Sequence, residues 1–439
     1  MGIFAIRDYR RLFSAQVIAL FGTGLATVAL GLLAYELAGS QAGTVLGTAL
    51  TIKMVMYVVI APLAAAYADR LPRRMFLTLL DVIRAGVVLA LPFVTEIWQI
   101  YVLIAVLQAA SAAFTPTFQA VIPDIVAKES DYTRALSASQ VAYTMESLLS
   151  PVLAAVALTF MTFNFLFIGT SVGFVISAIL VLSTRIPNAR PSGEIKVWDR
   201  VTSGTKTFVA TPRLRGVLGL NLVVAAASSI VVVNTVNYVR DELGGTQADV
   251  AWMLATAGGG TLIVAVMLPP VLDRVADRTV MLTGAITLLI GLLSAVTMAL
   301  ARLTEWAVTA PIWAIIGAGM ALIVTPIGRV LRASVTTPAL PAAFAAQFSL
   351  SHMAWLVTYP IAGWVATNFG FPVAWSILAA LAILGTLSAV ILWPREKNAE
   401  TLETEPAMNI PGEAVLTRDG ALSGEGALAA SQCACVKAV

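Results

Sequence analysis

The chain has 439 residues, of which 59% are hydrophobic and only 12% are charged, whereas a soluble globular domain carries about a quarter charged residues. A water-soluble fold of this size is therefore excluded, and the sequence predicts a membrane protein. The net charge of +3 comes from basic residues spread along the chain in short clusters, so we expect no nucleic-acid partner.

Twelve apolar runs follow one another along the chain, each long enough to cross a bilayer, which takes roughly 20 residues of helix. Their approximate bounds are 12–38, 44–68, 75–94, 98–122, 135–161, 163–184, 215–239, 248–272, 279–300, 306–328, 343–367 and 371–393. Backbone polar groups find no water in lipid, so runs of this length must be helical. The first run continues through a full span, and we therefore expect an uncleaved amino terminus rather than a signal peptide.

The Lys and Arg residues of the connections predict the orientation, because cytoplasmic loops are enriched in them. Arg240 and Arg302 would lie on one side of the membrane, and Lys53 and Arg84 fall inside spans. Every other basic residue falls on the opposite side. We therefore expect both termini to be cytoplasmic, in the inner (plasma) membrane of the cell.

The longest connection, residues 185–214, is polar and basic and separates six spans from six. It predicts two pseudo-symmetric six-helix bundles, 1–184 and 215–393, joined by a cytoplasmic linker. The connection after the second span of each half carries the same kind of charges, Asp69-Arg70-Leu-Pro-Arg73-Arg74 in the first half and Asp273-Arg274-Val-Ala-Asp277-Arg278 in the second. The remaining residues, 394–439, lack periodicity and are expected to form a disordered tail.

The stretch from Pro62 to Arg74 resembles the signature of the major facilitator superfamily, Gly-x-x-x-Asp-Arg-x-Gly-Arg-Arg. Its acidic and basic positions match, whereas Ala or Pro stands at the first glycine and Pro72 at the second. The resemblance implies an all-α fold of twelve transmembrane helices and a transporter in which Asp69 pairs with cytoplasmic basic groups to hold one conformational state. A simple role as positive-inside anchors is the alternative for Arg73 and Arg74.

Two further stretches resemble the drug- and metal-efflux branch of that superfamily. The opening, Asp8-Tyr-Arg-Arg-Leu-Phe-Ser-Ala-Gln16, is similar to macrolide, enterobactin and nickel-resistance exporters, and the run from Phe348 to Trp364 is most similar to the nickel-resistance proteins. The His-rich tail common in the nickel-resistance proteins is absent, and the fifth span keeps Pro151 of an exporter signature without its glycines. The resemblance implies efflux of a drug-like compound or of a divalent metal such as nickel.

Ionisable side chains inside lipid cost several kcal/mol unless they are paired or hydrated, so they indicate a transport pathway or a proton relay. Glu146, near the middle of the fifth span, is the preferred proton carrier, and Lys53 in the second span is proposed as its counter-charge. The alternative for Glu146 is a structural role, in which Ser, Tyr or Lys neighbours in the packed bundle satisfy the polar groups of its carboxyl. Asp81 and Arg84 share a helix face and are predicted to neutralise each other, with a direct proton role as the alternative.

The only histidine of the sequence, His352, is followed on the same helix face by Trp355 and Tyr359. This stripe could line a cavity, transfer protons or bind a borderline metal; a packing role is the alternative. Further cavity candidates at helical spacing are Gln16, Thr23, Thr27, Gln108, Ser111, Thr115, Asn234 and Asn237. Interhelical hydrogen bonding is the alternative for each. In the tail, Cys433 and Cys435 could hold a soft metal.

The sequence contains neither a Gly-x-x-x-x-Gly-Lys-Ser/Thr loop for ATP nor a cluster of catalytic groups, so we expect no enzyme activity and no cofactor. The predicted function is secondary active transport: a monomeric antiporter in the lipid bilayer that exports a small molecule or ion in exchange for protons. A uniporter or an importer of a small metabolite is the alternative within transporters, and a membrane receptor or enzyme is the alternative outside them.

Overall fold

In a computed structural model of the chain, the structure describes residues 3–67, 72–126, 129–186, 197–336 and 340–393. Every regular element within these ranges is a helix, which confirms the predicted all-α fold class. Two sets of predicted site residues lie outside the described residues. They are Asp69 and Arg70 of the charged connection, and Cys433 and Cys435 of the tail.

Six long helices occupy the first six predicted spans. They are α1 (Arg7–Ala38), α2 (Ala42–Tyr67), α3 (Arg73–Ala90), α4 (Ile97–Ile125), α5 (Glu129–Leu158) and α6 (Phe163–Leu182). The boundaries agree with the sequence prediction to within a few residues, and the largest difference is at α5, which begins at Glu129 rather than at 135. Only a short 3-10 turn, Gly39–Gln41, separates α1 from α2, and Gly39 has a φ of 52° that favours glycine.

The second half of the chain contains more, and shorter, helices. They are α7 (Val197–Ala210), α8 (Pro212–Ser229), α9 (Thr235–Asn237), α10 (Gln247–Leu272), α11 (Asp277–Leu300), α12 (Trp306–Val324), α13 (Ile327–Ser334), α14 (Leu340–Pro360), α15 (Ala366–Phe369) and α16 (Phe371–Leu392). The π-helical turns Ile230–Asn234 and Ile361–Val365 continue α8 into α9 and α14 into α15. Such turns often occur at functional sites.

The predicted linker 185–214 contains the helix α7 and the start of α8. Phe208 of α7 is fully buried. A Cβ atom on Gly204 would lie 3.0 Å from the carbonyl carbon of Ala342, so α7 packs closely against α14. The buried side chain of Phe208 helps to stabilise α7. The polar composition of the segment gives little indication of this helix.

Nine segments of the described residues are long and apolar enough to cross a membrane, and the first, Arg7–Ala61, includes both α1 and most of α2. The outer surface is apolar as well: Phe93, Phe160 and Ile391 are each more than three-quarters exposed. An apolar surface of this extent is suited to lipid rather than to water.

The most extensive helix contacts between the halves of the chain are those of α2 with α14 and of α5 with α10. Within the first half the main pairs are α1 with α6 and α2 with α4, and within the second half α8 with α16 and α10 with α12. The chain up to Trp393 forms a single compact unit. The predicted division into bundles at 1–184 and 215–393 stays a prediction.

Candidate functional site

Charged and aromatic side chains from both halves come together between α2, α5 and α14, midway along these helices. The charges of Lys53 on α2 and Glu146 on α5 interact electrostatically, and Glu146 also interacts with Tyr359 on α14. Lys53 and Glu146 are half-buried, whereas Tyr359 is buried. The structure therefore places the two charged residues that the sequence analysis paired close enough for their charges to interact. We call Tyr57, Lys53, Glu146, His352 and Tyr359 the central cluster.

A glycine on α1 lets this helix pass directly beside Glu146. A Cβ atom on Gly24 would lie 2.6 Å from the Glu146 Oε1 atom and would overlap the Ser150 side chain. The Ser150 hydroxyl is buried and has no hydrogen-bond partner. No larger side chain fits at position 24 without displacing Glu146, so α1 determines where the carboxylate lies.

The aromatic part of the central cluster is a stack of rings from α2 and α14. The His352 ring lies 5.0 Å from the Tyr57 ring and 4.1 Å from the Phe348 ring, measured between centroids. The Lys53 Nζ atom is 6.0 Å from the centroid of the Tyr57 ring, at the outer limit of a cation–π interaction. These contacts join the first half of the chain to the second through side chains that can also bind a planar molecule.

One ring nitrogen of His352 is engaged by its own helix. The Nδ1 atom lies 2.5 Å from the carbonyl oxygen of Phe348, which fits a neutral imidazole that donates from Nδ1. In that tautomer Nε2 is an acceptor, so His352 can receive a proton or a hydrogen bond at Nε2.

Several hydrogen bonds fix α14 against α8 near this stack. Trp355 Nε1 donates to the Ser228 hydroxyl at 2.7 Å, and the Ser229 hydroxyl donates to Thr358 at 2.7 Å. The indole ring of Trp355 also lies 5.7 Å from the His352 ring. Trp355 therefore borders the stack, as the stripe predicted, while its polar atom is used for helix packing.

A second ionic group, Asp81 and Arg84, is a buried ion pair within α3. The Ser177 hydroxyl donates to Asp81 at 2.7 Å. The Arg84 guanidinium lies 4.1 Å from the Phe114 ring and 4.5 Å from the Phe174 ring. A pair that is hydrogen-bonded and stacked in this way fits mutual neutralisation better than a direct proton role.

The polar candidates of α1 and α4 surround a cavity of about 40 Å³ in the first half. Its polar lining residues are Gln16, Thr23, Tyr57, Arg84, Ser111 and Thr115. The Gln16 Oε1 atom accepts a hydrogen bond from Ser139 at 3.0 Å. Thr23 and Thr27 donate back to carbonyl oxygens of α1, and Gln108 is buried. These residues serve helix packing or this small cavity.

The two asparagines predicted for a central cavity lie instead near one end of the molecule. Asn234 donates to the carbonyl oxygen of Ala362 at 2.6 Å. Asn237 donates to the carbonyl oxygen of Ser40 at 3.1 Å and to Asp241 at 3.0 Å. Both line a cleft at the end where α1 joins α2, which the sequence analysis did not anticipate.

The halves of the chain touch directly at this end. The Tyr35 hydroxyl donates to Asp241 at 2.5 Å, and Trp364 Nε1 donates to Thr48 at 2.8 Å. A Cβ atom on Gly47 would lie 2.8 Å from the Cα atom of Gly363, so α2 and the end of α14 approach as closely as glycine allows. We call these contacts the end closure.

The structure describes only part of the charged connection after α2 and all of the one after α10. In the first, Arg73 is buried and Arg74 donates to the carbonyl oxygen of Leu182. In the second, Arg329 of α13 forms ion pairs with Asp277 at 3.1 Å and Asp273 at 3.9 Å.

The other basic residues of the second connection differ in their contacts. Arg278 donates to the carbonyl oxygen of Trp393 at 3.0 Å, and Arg274 is exposed. The sequence motif did not reveal Arg329, because this residue follows two spans later.

Among the residues described, no group of three or more His, Cys, Asp and Glu side chains could hold a metal ion. His352 is therefore not part of such a group among the residues that the structure describes.

The chain matches the family described as the Major Facilitator Superfamily over residues 12–236 and 217–430. A relative in Bacillus subtilis (strain 168), the uncharacterized MFS-type transporter YfiS, is 23% identical over 347 residues, covering 76% of this chain and 81% of the relative.

Solved transporters have similar structures. A mutant of the nucleoside transporter NupG covers 89% of this chain and 100% of its own, with a TM-score of 0.62 and 13% identity. The POT family transporter PepTSo covers 91% of this chain and 99% of its own, with a TM-score of 0.63 and 12% identity. At these identities the similarity shows the fold alone.

Proposed function

Because the chain belongs to the Major Facilitator Superfamily and is a multi-pass membrane transporter rather than an enzyme, we propose that it exports a small organic cation in exchange for protons. The observation that carries the proposal is the position of Glu146 inside the molecule, with its Oε1 atom 2.6 Å from where a Cβ atom of Gly24 would lie and its charge interacting with Lys53 and Tyr359 from both halves of the chain. A proton that binds Glu146 removes its charge and with it the attraction for Lys53.

Coupling follows from this change of charge. When Glu146 is charged, it interacts electrostatically with residues of α2 and α14, and when it is protonated these interactions are lost. Because α14 belongs to the second half of the chain, the change affects both halves. An equilibrium between two arrangements of the halves shifts only by the free energy with which a ligand distinguishes them. A proton on Glu146 distinguishes them, because the electrostatic interactions of this residue reach both halves.

The substrate class follows from the same residues. A cation attracted to the Glu146 carboxylate would compete with the proton, which is the requirement for exchange. The rings of Tyr57, Phe348 and His352 offer flat surfaces for a planar cation. His352 donates from Nδ1 within its helix, and Nε2 is left as an acceptor, so the preference for a planar organic cation over a divalent metal such as nickel rests on the three rings.

Direction and topology rest on the resemblance and on the distribution of basic residues. With both termini in the cytoplasm, the end closure faces the outside of an inner-membrane protein. We propose that the bundles 1–184 and 215–393 rock around the central cluster in a monomer, and that the end closure opens when the opposite side closes. Asp69, Arg70 and the Arg329 ion pairs would stabilise one of these states.

Proton flux into proteoliposomes with an internal pH dye tests the proposal. Ethidium, a planar aromatic cation, should drive proton movement in the wild type, and nickel should drive much less. Glu146→Gln should abolish the ethidium-driven flux. Glu305→Gln, the same change at an exposed connection, should leave the flux unchanged.

Two results would contradict the proposal. Flux with nickel and not with ethidium would make a metal the substrate, and full flux in Glu146→Gln would remove Glu146 from the coupling step.

A further inference from the structure

The cleft beside the end closure has a volume of about 700 Å³, within the range of about 300–1,000 Å³ that is typical of small-molecule sites. Its walls come from both halves of the chain: Ser40 and Gly43 from the first, and Asn237, Asp241 and Glu242 from the second. None of the described residues of the central cluster lines this cleft. It is therefore a separate site, at the end of the molecule rather than in its middle.

Oxygen acceptors dominate the part of the cleft where the halves meet. Asp241 and Glu242 are exposed carboxylates that follow each other on the π-helical turn Tyr238–Glu242. Asn237 is 4% exposed, and its Oδ1 atom has no hydrogen-bond partner. An amide oxygen buried without a partner costs about 1–3 kcal/mol, so a ligand that donates a hydrogen bond to it would gain stability there.

The positions of these oxygens are fixed by their neighbours. Tyr35 donates to Asp241 Oδ1 at 2.5 Å, and the Asn237 amide donates to Asp241 Oδ2 at 3.0 Å. The Asn237 Oδ1 atom in turn lies 3.5 Å from the position that a Cβ atom on Gly43 would take. The amide oxygen is thus directed toward the first half, across the line where the halves meet.

One basic residue, Arg302, also lines the cleft, and its backbone is unusual. Its φ of 53° makes it the one non-glycine residue with a positive φ in the described part of the chain. This left-handed conformation ends helix α11, where Leu303 N donates to the carbonyl oxygen of Met298 at 3.0 Å in a Schellman-type cap. Among the lining residues two carboxylates outnumber one guanidinium, and the Arg240 guanidinium lies outside the lining, 5.1 Å from the Tyr35 ring.

We propose that this cleft binds an organic ammonium ion with N–H donors and that the bound ion stabilises the end closure. The carboxylates attract the positive charge, and the Asn237 Oδ1 atom requires a donor, which a quaternary ammonium ion lacks. A hard metal ion requires six or more oxygen ligands, and among the described residues no group of three or more His, Cys, Asp and Glu side chains could hold a metal ion. The ion contacts both halves only while the end is closed, so binding favours the closed arrangement.

Calorimetric titration of the purified full-length protein in lipid nanodiscs tests this site without any transport measurement. The probe is 1,4-diaminobutane, and its fully N-methylated derivative, a dication of the same chain length without N–H donors, is the comparison cation. We expect the wild type to bind 1,4-diaminobutane at least tenfold more tightly than the methylated dication, because one unpaired charge-assisted hydrogen bond is worth about 1.5–3 kcal/mol.

Two variants change the charge of the cleft in opposite directions. Glu242→Gln should weaken binding of 1,4-diaminobutane by about threefold to fivefold, the effect of an exposed ionic contact. Arg302→Asn should strengthen it by a similar factor, and asparagine tolerates the positive φ. Glu36→Gln, at an exposed position on the last turn of α1 outside the cleft, is the matched control and should change nothing.

The proposal is overturned if the wild type does not bind 1,4-diaminobutane, if both cations bind equally, or if Glu242→Gln and Glu36→Gln weaken binding to the same extent. The last result would indicate a general surface-charge effect. Because binding is measured directly, a failure here leaves the proton-coupled export proposal unaffected, and a failure of that proposal leaves this site testable.

Discussion

The imidazole ring of His352 lies parallel to the phenol ring of Tyr57, with 5.0 Å between the ring centroids and 6° between the ring planes. Tyr57 belongs to α2 and His352 to α14, so this stack joins the two halves of the chain at mid-length of both helices. Lys53 lies one helical turn before Tyr57 on α2. The stack therefore places the proposed surface for an aromatic substrate one helical turn from Lys53, whose charge interacts with that of Glu146.

Replacing Tyr57 with leucine should weaken ethidium binding by about threefold to tenfold, because an aromatic pair contributes about 0.5–1.5 kcal/mol beyond its buried area. Tyr57→Phe keeps the ring and should bind ethidium within twofold of the wild type. Fluorescence titration of the purified variants measures both affinities. Equal losses in the two variants would assign the effect to the hydroxyl group rather than to the ring.

Removing one member of the charged pair should destabilise the fold more than removing both. Lys53→Met leaves the Glu146 carboxylate without its counter-charge, and we expect a loss of about 3 kcal/mol of unfolding free energy. The double variant Lys53→Met/Glu146→Gln should recover most of this loss. Thermal unfolding in detergent measures the stabilities, and additive effects in the double variant would show that the two residues do not interact.

Gly24→Ala should reduce proton coupling, because the added methyl group would lie 2.6 Å from Glu146 Oε1 and must displace the carboxylate or α1. Overpacking of this kind costs about 1–3 kcal/mol. Gly86→Ala is the matched control, since a Cβ atom there meets nothing within 4 Å. Ethidium-driven proton flux should fall in the first variant and stay normal in the second. Equal flux in both would mean that α1 does not position Glu146.

Gly47→Val should prevent the end closure, because even a Cβ atom at this position would lie 2.8 Å from the Cα atom of Gly363. The readout is the labelling rate of Thr367→Cys by a membrane-impermeant maleimide, in a background without Cys433 and Cys435. Thr367 lines the cleft and faces Gly43. We expect faster labelling in the Gly47→Val background than in the Gly169→Val control, where nothing lies near the added group. Identical rates would contradict the assignment of the closure to this glycine contact.

Arg329→Gln should slow transport with little effect on stability. Arg329 and Asp277 are 45% and 18% exposed, and ion pairs at exposed positions contribute about 0–1 kcal/mol. The role proposed for the pair is to stabilise one of two states, which affects rates more than unfolding. Transport assays and thermal unfolding of the same preparation distinguish an effect on the transport rate from an effect on stability. A large loss of stability with normal transport would indicate a structural role instead.

The sequence by itself determined the class of protein and its general layout. Helix length and hydropathy are local properties, and crossing a bilayer requires long apolar helices wherever they pack. The positions of the spans and the all-α fold could therefore be predicted, and the family was indicated by the resemblance of the stretch from Pro62 to Arg74 to the superfamily signature. The pairing of Asp81 with Arg84 was also predictable, since both residues lie on one helix at a spacing that fixes their contact.

Contacts between helices were decided only by the tertiary structure. Lys53 and Glu146 were a plausible pair from their charges, but Tyr57, Gly24 and the His352 stack became visible only when α1, α2, α5 and α14 were placed side by side. Asn237 was assigned to a central cavity and lies instead at the end closure, because the depth and rotation of a helix decide what its side chains face. The sequence determined which segments enter the membrane, since hydrophobicity acts on each segment separately. Packing between the halves decided which polar groups meet, since those contacts depend on helices far apart in the chain.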